Sequence, residues 1–208
     1  MLTLDTALTF FGISILLGLS PGPDNVFVLM QSATNGRKAG ILVTLGLCTG
    51  LLGHTAAVAL GLAAILAASA TAFTLLKLAG AAYLLYLAWG AFWAPVGPLL
   101  TGLSPMLKPW RMYGRGILMN LTNPKVGIFF LAFLPQFVRP EAGPVAWQVA
   151  TLGGLFILAA LLVFGGLAWF ASLVGVWFQN SMRAQRALNL SAAVVFVGLA
   201  ARLAWSEK

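Results

Sequence analysis

Apolar residues run along almost the whole chain, and polar residues gather in short clusters between the runs. A membrane-crossing helix needs about 20 predominantly apolar residues. Six stretches meet that requirement: 4–31, 40–66, 71–93, 115–138, 145–178 and 187–205. The pattern predicts an all-α integral membrane protein with six transmembrane helices. The fifth stretch exceeds one span and is expected to tilt or to extend past the bilayer. Two of the six are interrupted. The first carries "SPGPDNVFVLMQ", with Pro21, Gly22, Pro23 and Asp24 inside an apolar run, and the fourth carries "TNPKVGIFFLAFLPQF", with Pro124 followed by Lys125.

The interruptions have a physical consequence. Proline removes a backbone N–H and clashes with the carbonyl one turn earlier. Backbone groups freed in this way are costly in hydrocarbon unless they are buried in protein or face water. Each break therefore points to an internal cavity, not to lipid. Each restarting half-helix presents unpaired N–H groups and a positive dipole end, which favour an anion such as a carboxylate.

The breaks fall at matching places in two similar units. Each unit opens with a broken helix, continues with a long Gly-rich one and closes with a shorter one. The expected division is 1–95 for the first three-helix repeat, 96–110 for a cytoplasmic linker loop and 111–208 for the second repeat. Three spans is an odd number, so the second unit enters the membrane from the opposite side. Such an inverted repeat with broken helices at matching positions is the sequence pattern of a transporter with a midplane site.

Asp24 and Lys125 are the ionisable residues at the breaks. A charge of this kind costs about 2.5–3.5 kcal/mol at a helix centre on insertion scales. The pseudo-symmetry brings the two breaks together, so Asp24 and Lys125 are expected to pair or nearly pair in the empty protein. A zwitterion would then insert between them, its ammonium at Asp24 and its carboxylate at Lys125. The alternative at this point is a structural ion pair that locks two helices. Asp24 is the first candidate for a proton-coupling group. Asn25, Asn123 and Tyr83 are further substrate-binding candidates, and Lys77, Gln31, Asn120 and His54 are secondary ones. Asn123 and Thr122 are expected to cap the second half-helix. His54 lies on a stripe with Gly50, Ala57 and Gly61, which reads more readily as a close helix–helix contact than as a proton or substrate group.

Composition narrows the classes. Only 8% of the 208 residues are charged and 61% are apolar, against roughly 25% charged in a soluble domain. The charges lack an aromatic-interleaved basic stripe, which argues against nucleic-acid binding. The single cysteine, Cys48, and single histidine, His54, leave no intrachain disulfide and no four-ligand zinc site. No metal or other cofactor is expected. An intramembrane enzyme would need a nucleophile–base set that these few groups hardly supply. A helper subunit that transports nothing is the other rival. No phosphate-binding G-x-x-x-x-G-K-[ST] loop is present, so energy must come from a gradient or another subunit. The small residues before Pro21 resemble a signal cleavage site, but no Lys or Arg precedes them and the apolar run resumes at Val26, so the first stretch reads as retained.

Several of these segments carry a resemblance. "SPGPDNVFVLMQSATNGRKAGILVTLG", "LLKLAGAAYLLYLAWGAF" and "NLTNPKVGIFFLAFLPQFV" resemble the LysE/RhtB family of bacterial amino-acid exporters over nearly the whole chain. The resemblance implies export of amino acids or their derivatives across the bacterial inner membrane, driven by the proton gradient. By resemblance, Pro21, Gly22, Pro23 and Asp24 match the first family motif, Asn123, Pro124 and Lys125 the second, and Lys77, Gly80, Ala81, Tyr83 and Leu84 the third-helix pattern. Ser191 stands where a glycine is usual. A small Gly-rich protein of this kind is also expected to be able to form a homodimer.

Loop charges set the expected orientation. Arg37 and Lys38, then Lys108, Arg111 and Arg115, then Arg183 and Arg186 fall in alternate loops. Those loops are expected in the cytoplasm, with both termini outside. A C-terminal alkaline phosphatase fusion should therefore be active and a C-terminal green fluorescent protein fusion dark; the reverse pair of signals would overturn the orientation.

Overall fold

The computed structural model describes residues 2–68, 70–94, 96–97 and 108–205. Among these the chain is helical throughout, with eight α-helices and three short non-α turns. They are α1 (Leu4–Leu19), α2 (Pro23–Asn35), α3 (Arg37–Ala68), α4 (Ala70–Phe92), α5 (Pro109–Thr122), α6 (Pro124–Ile128), α7 (Val145–Asn180) and α8 (Met182–Trp205). A π-helical turn, Phe129–Phe133, and a 3-10 turn, Leu134–Phe137, extend α6. Pro135 has no N–H to donate, so the regular ladder cannot run through it.

Among the described residues, three helical segments are long and apolar enough to cross a membrane: Arg37–Gly61, Val145–Ala171 and Met182–Trp205. The count becomes five if each bent pair is one span. Those pairs are α1 with α2, bent by 62°, and α5 with Pro124–Phe137, bent by 51°. The third predicted stretch is helical as α4, but only the coarser count of three to five spans is established. The long fifth stretch is the 36-residue α7, about 54 Å at 1.5 Å per residue. That exceeds the roughly 30 Å hydrocarbon core. Pro109 and Trp110, at the end of the expected linker 96–110, form the first turn of α5, where proline is tolerated. Residues 98–107 of that linker lie outside the described residues.

Packing is dominated by α3 with α5, α3 with α7 and α4 with α8, followed equally by α1 with α7 and α2 with α3. The α3–α5 seam depends on small residues. A Cβ on Gly116 would sit 2.5 Å from Val43 O and 3.1 Å from Gly46 Cα, and one on Gly46 would collide with Tyr113 O. Beside this seam, the Thr49 and Tyr113 hydroxyls hydrogen-bond at 2.8 Å. The stripe expected around His54 is thus shifted: Gly46 and Gly50 make the close contacts, whereas Gly61 has nothing within 4 Å and Ala57 is exposed.

Aromatic rings fill the space where α1 meets the extension of α6. Phe10 packs on Phe129 at 5.9 Å and on Phe137 at 5.1 Å, and Phe129 stacks on Phe133 at 5.0 Å. All four rings are buried.

Gly116→Val should lower the melting temperature in detergent, at an overpacking cost of about 1–3 kcal/mol. Gly12→Ala is the control, because nothing lies within 4 Å of that position. An unchanged melting temperature for Gly116→Val would show that the seam is not close-packed.

Candidate functional site

The two breaks meet inside the protein. Helix α1 ends at Leu19, Ser20 follows it, and α2 restarts at Pro23 with Gly22 in extended conformation before it. Helix α5 ends at Thr122, and α6 restarts at Pro124 with Asn123 as N-cap. Pro sits at the first helical position in both restarts, where its missing N–H costs nothing.

Ending α1 inside the protein leaves its last carbonyls without intrahelical donors. Side chains provide them. Lys125, from the other break, donates from Nζ to Ser20 O at 3.0 Å and to Leu17 O at 3.4 Å. Asn25 Nδ2 donates to Gly18 O at 2.7 Å. A cation at a helix C-terminus is also favoured by the helix dipole. Lys125 thus acts as a C-cap supplied from 105 residues away. Gly22 lets it approach: a Cβ there would lie 3.0 Å from Lys125 Nζ.

Asp24 and Lys125 are therefore brought to one place. The ammonium is directed at backbone carbonyls, however, and Asp24 Oδ1 has no hydrogen-bond partner. The groups that face the Asp24 carboxylate are the Asn123 and Asn120 amides, the Lys125 ammonium and the His54 ring. Asn123 caps α6 as expected, its Oδ1 accepting from Lys125 N at 3.0 Å. Thr122 does not cap; it is exposed, and its hydroxyl donates back to Leu118 O at 2.8 Å. Pro23 and Pro124 are exposed, Pro21 and Gly22 half-buried.

Five buried side-chain atoms lack a partner among the described residues: Ser20 Oγ, Asp24 Oδ1, Asn25 Oδ1, Asn120 Oδ1 and Asn123 Nδ2. All five belong to the two breaks or, for Asn120, to the last turn of α5 before its break. Buried polar groups are normally satisfied, so each exception asks for a reason. A polar ligand or water admitted to this place is the simplest one.

The secondary residues divide. Asn120 and His54 join the site: His54 Nε2 lies 3.1 Å from Asn120 O, and Asn120 packs against Gly50. Gln31 is buried two turns along α2, its Oε1 accepting from Asn35 Nδ2 at 2.9 Å. Tyr83 is half-buried on α4, with its ring 5.7 Å from the exposed Tyr86, and makes none of the contacts that tie the breaks. Lys77 is half-buried on α4. Ser20 was not singled out from sequence. Its position directly before Pro21 was the available signal, since the residue that ends a broken helix must have its carbonyl satisfied. Among the described residues no group of His, Cys, Asp and Glu could hold a metal ion.

A family model described as LysE type translocator matches residues 15–207. Two curated relatives, each named homoserine/homoserine lactone efflux protein, come from Salmonella typhimurium and Salmonella typhi. Each is 34% identical over 192 residues, covering 92% of this chain and 92% of the relative. A membrane protein of Bacillus subtilis, YrhP, is 31% identical over 200 residues, covering 92% of this chain and 94% of the relative. No solved structure matches.

Lys125→Met should leave Ser20 O and Leu17 O without a donor and destabilise the fold by about 1–3 kcal/mol, whereas Lys125→Arg should recover part of the loss. Thermal unfolding in detergent reads both. Equal stability of wild type and Lys125→Met would remove the capping role.

Proposed function

The chain belongs to the LysE type translocator family, and we propose that it is a secondary transporter exporting amino acids or amino-acid derivatives from the cytoplasm in exchange for protons. Members of the family are transporters and not enzymes. The observation that carries the reading is the set of five unpartnered buried polar atoms at the two helix breaks. A site of that polarity inside an otherwise apolar protein has a small polar ligand as its natural occupant.

In this reading the substrate ammonium meets Asp24, and a substrate carboxylate meets Lys125 and Asn123. To receive it, Lys125 turns from the carbonyls of Ser20 and Leu17. Asp24 takes up a proton when the ammonium leaves, which is the coupling step. Asn25 supports the site, and Gln31 continues it along α2. Tyr83 and Lys77, on α4, belong to the path and not to the centre. Helix packing supports an inverted repeat: α3 pairs with α7 and α4 with α8, the equivalent members of the two units, and α1 packs on α7 as α5 packs on α3. Rocking of one unit against the other around the breaks would expose the site alternately. The membrane in question is the bacterial inner membrane, with the starts of α3, α5 and α8, which carry Arg37, Lys108 and Arg183, on the cytoplasmic side.

Inside-out vesicles with and without the protein test this. Amino acids, with homoserine and its lactone included because of the names of the relatives, are offered with and without an ionophore. Accumulation of one or a few compounds, abolished by ionophore and by Asp24→Asn, is expected. No accumulation of any compound by inserted, folded protein would overturn the exporter reading; accumulation unaffected by ionophore would overturn proton exchange alone.

A further inference from the structure

Bent by 62° and 51°, the chain passes through each break instead of folding back on itself. Two routes therefore lead away from the breaks, one between α1 and the extension of α6, the other between α2 and α5. They are closed in different ways. Between α1 and the α6 extension lies a set of phenylalanine rings. Phe10, Phe129, Phe130, Phe133, Phe137 and Phe156 form one connected network with neighbouring centroids 5.0–6.3 Å apart, and each is at most 5% exposed. The exposed Arg202 adds its guanidinium 4.7 Å over Phe137. Passage here requires several buried ring contacts to be given up together.

Between α2 and α5 the closure is a single pair. Arg115 of α5 places its guanidinium carbon 5.2 Å over the Phe27 ring of α2. Phe27 is buried and Arg115 is exposed. An α-helix brings positions i, i+3, i+7 and i+11 to one face. On α2 that row is Asp24, Phe27, Gln31 and Asn35, and Asn35 Nδ2 donates to Gln31 Oε1 at 2.9 Å. The row runs from the break to the end of α2 and is polar at every place but Phe27. A polar track thus leads away from Asp24, interrupted at one ring that one exposed cation covers. A cation–π contact at an exposed site is a weak one, and releasing it disturbs none of the rings of the other closure.

We infer that Phe27 and Arg115 form the gate through which a ligand reaches the breaks, and that the phenylalanine network keeps the opposite route shut in the same conformation. Both are positioning residues: they hold each other, and their separation opens the track to Asp24. The gate follows from the two closures alone. That it opens toward the cytoplasm rests on the exporter reading and the orientation above.

Site-directed labelling tests this in the full chain. The single cysteine, Cys48, is replaced by alanine, and Ser20→Cys then provides a thiol at the break, where Ser20 Oγ is buried and has no partner. A membrane-impermeant methanethiosulfonate is applied to inside-out and to right-side-out vesicles. Arg115→Gln and Phe27→Leu should each speed labelling of Ser20→Cys in inside-out vesicles by about two- to fivefold or more, the worth of an exposed cation–π contact. Arg115→Lys, which keeps a cation, should stay close to the parent. Labelling in right-side-out vesicles should be slower and should not accelerate. An unchanged rate for either variant, acceleration from both faces alike, or no labelling of folded protein in any variant would overturn the gate. Acceleration confined to right-side-out vesicles would refute the orientation and leave the gate standing. Gate-dependent labelling of protein that moves no compound in the vesicle assay would likewise refute the exporter alone.

Discussion

A backbone broken inside hydrocarbon must have its freed carbonyls and amides satisfied by protein, and the structure is arranged around that constraint. Each unsatisfied group costs several kcal/mol in lipid. Helix α1 stops at Leu19, and the donors for its last turn come from Asn25 on the restarting helix and from Lys125 in the second break. One break is therefore completed by the other. The two halves cannot separate at this point without leaving Ser20 O and Leu17 O unpaired, so the polar centre also fixes how the halves meet.

The same solution recurs at the end of α4. Arg186 Nη1 donates to Phe92 O at 2.6 Å, Asn189 Nδ2 donates to Ala94 O at 3.4 Å, and Gln185 brackets Gly97 through its N–H and its carbonyl. The first turns of α8 thus cap a helix from the other half, with a cation again at a C-terminal carbonyl. At the α6 extension, Gln148 likewise brackets Arg139 and adds Gly143 O at 2.9 Å. Around these polar joints the packing is apolar and close: small residues on α3 and α5, and phenylalanine rings between α1 and the π-helical turn. The closely packed seam and the incompletely satisfied breaks lie side by side. That contrast is what a transporter needs, with rigid contacts framing a centre whose hydrogen bonds can be exchanged.

Much of this was legible in the sequence. Proline followed by an ionisable residue, twice, within apolar runs, located both breaks and named Asp24 and Lys125. Asn123 was legible as a cap because an Asn before Pro at a helix restart has a known geometry. Less could be read of Asn120, which is an ordinary polar residue on α5 until Gly50 and His54 are brought against it. Ser20 was marked in the sequence only by its place before Pro21, and its pairing with Lys125 was not. Tyr83 is half-buried on α4 with its ring beside that of the exposed Tyr86.

The sequence by itself determined that the protein lives in lipid, where its helices stop and which charged groups stand at the stops. Those properties follow from hydropathy, proline stereochemistry and charge, which act over a few residues. Only the tertiary structure decided that Lys125 turns to the carbonyls of Ser20 and Leu17 and not to the carboxylate of Asp24. The choice of hydrogen-bond partner depends on distances between atoms more than a hundred residues apart, and no local pattern encodes it.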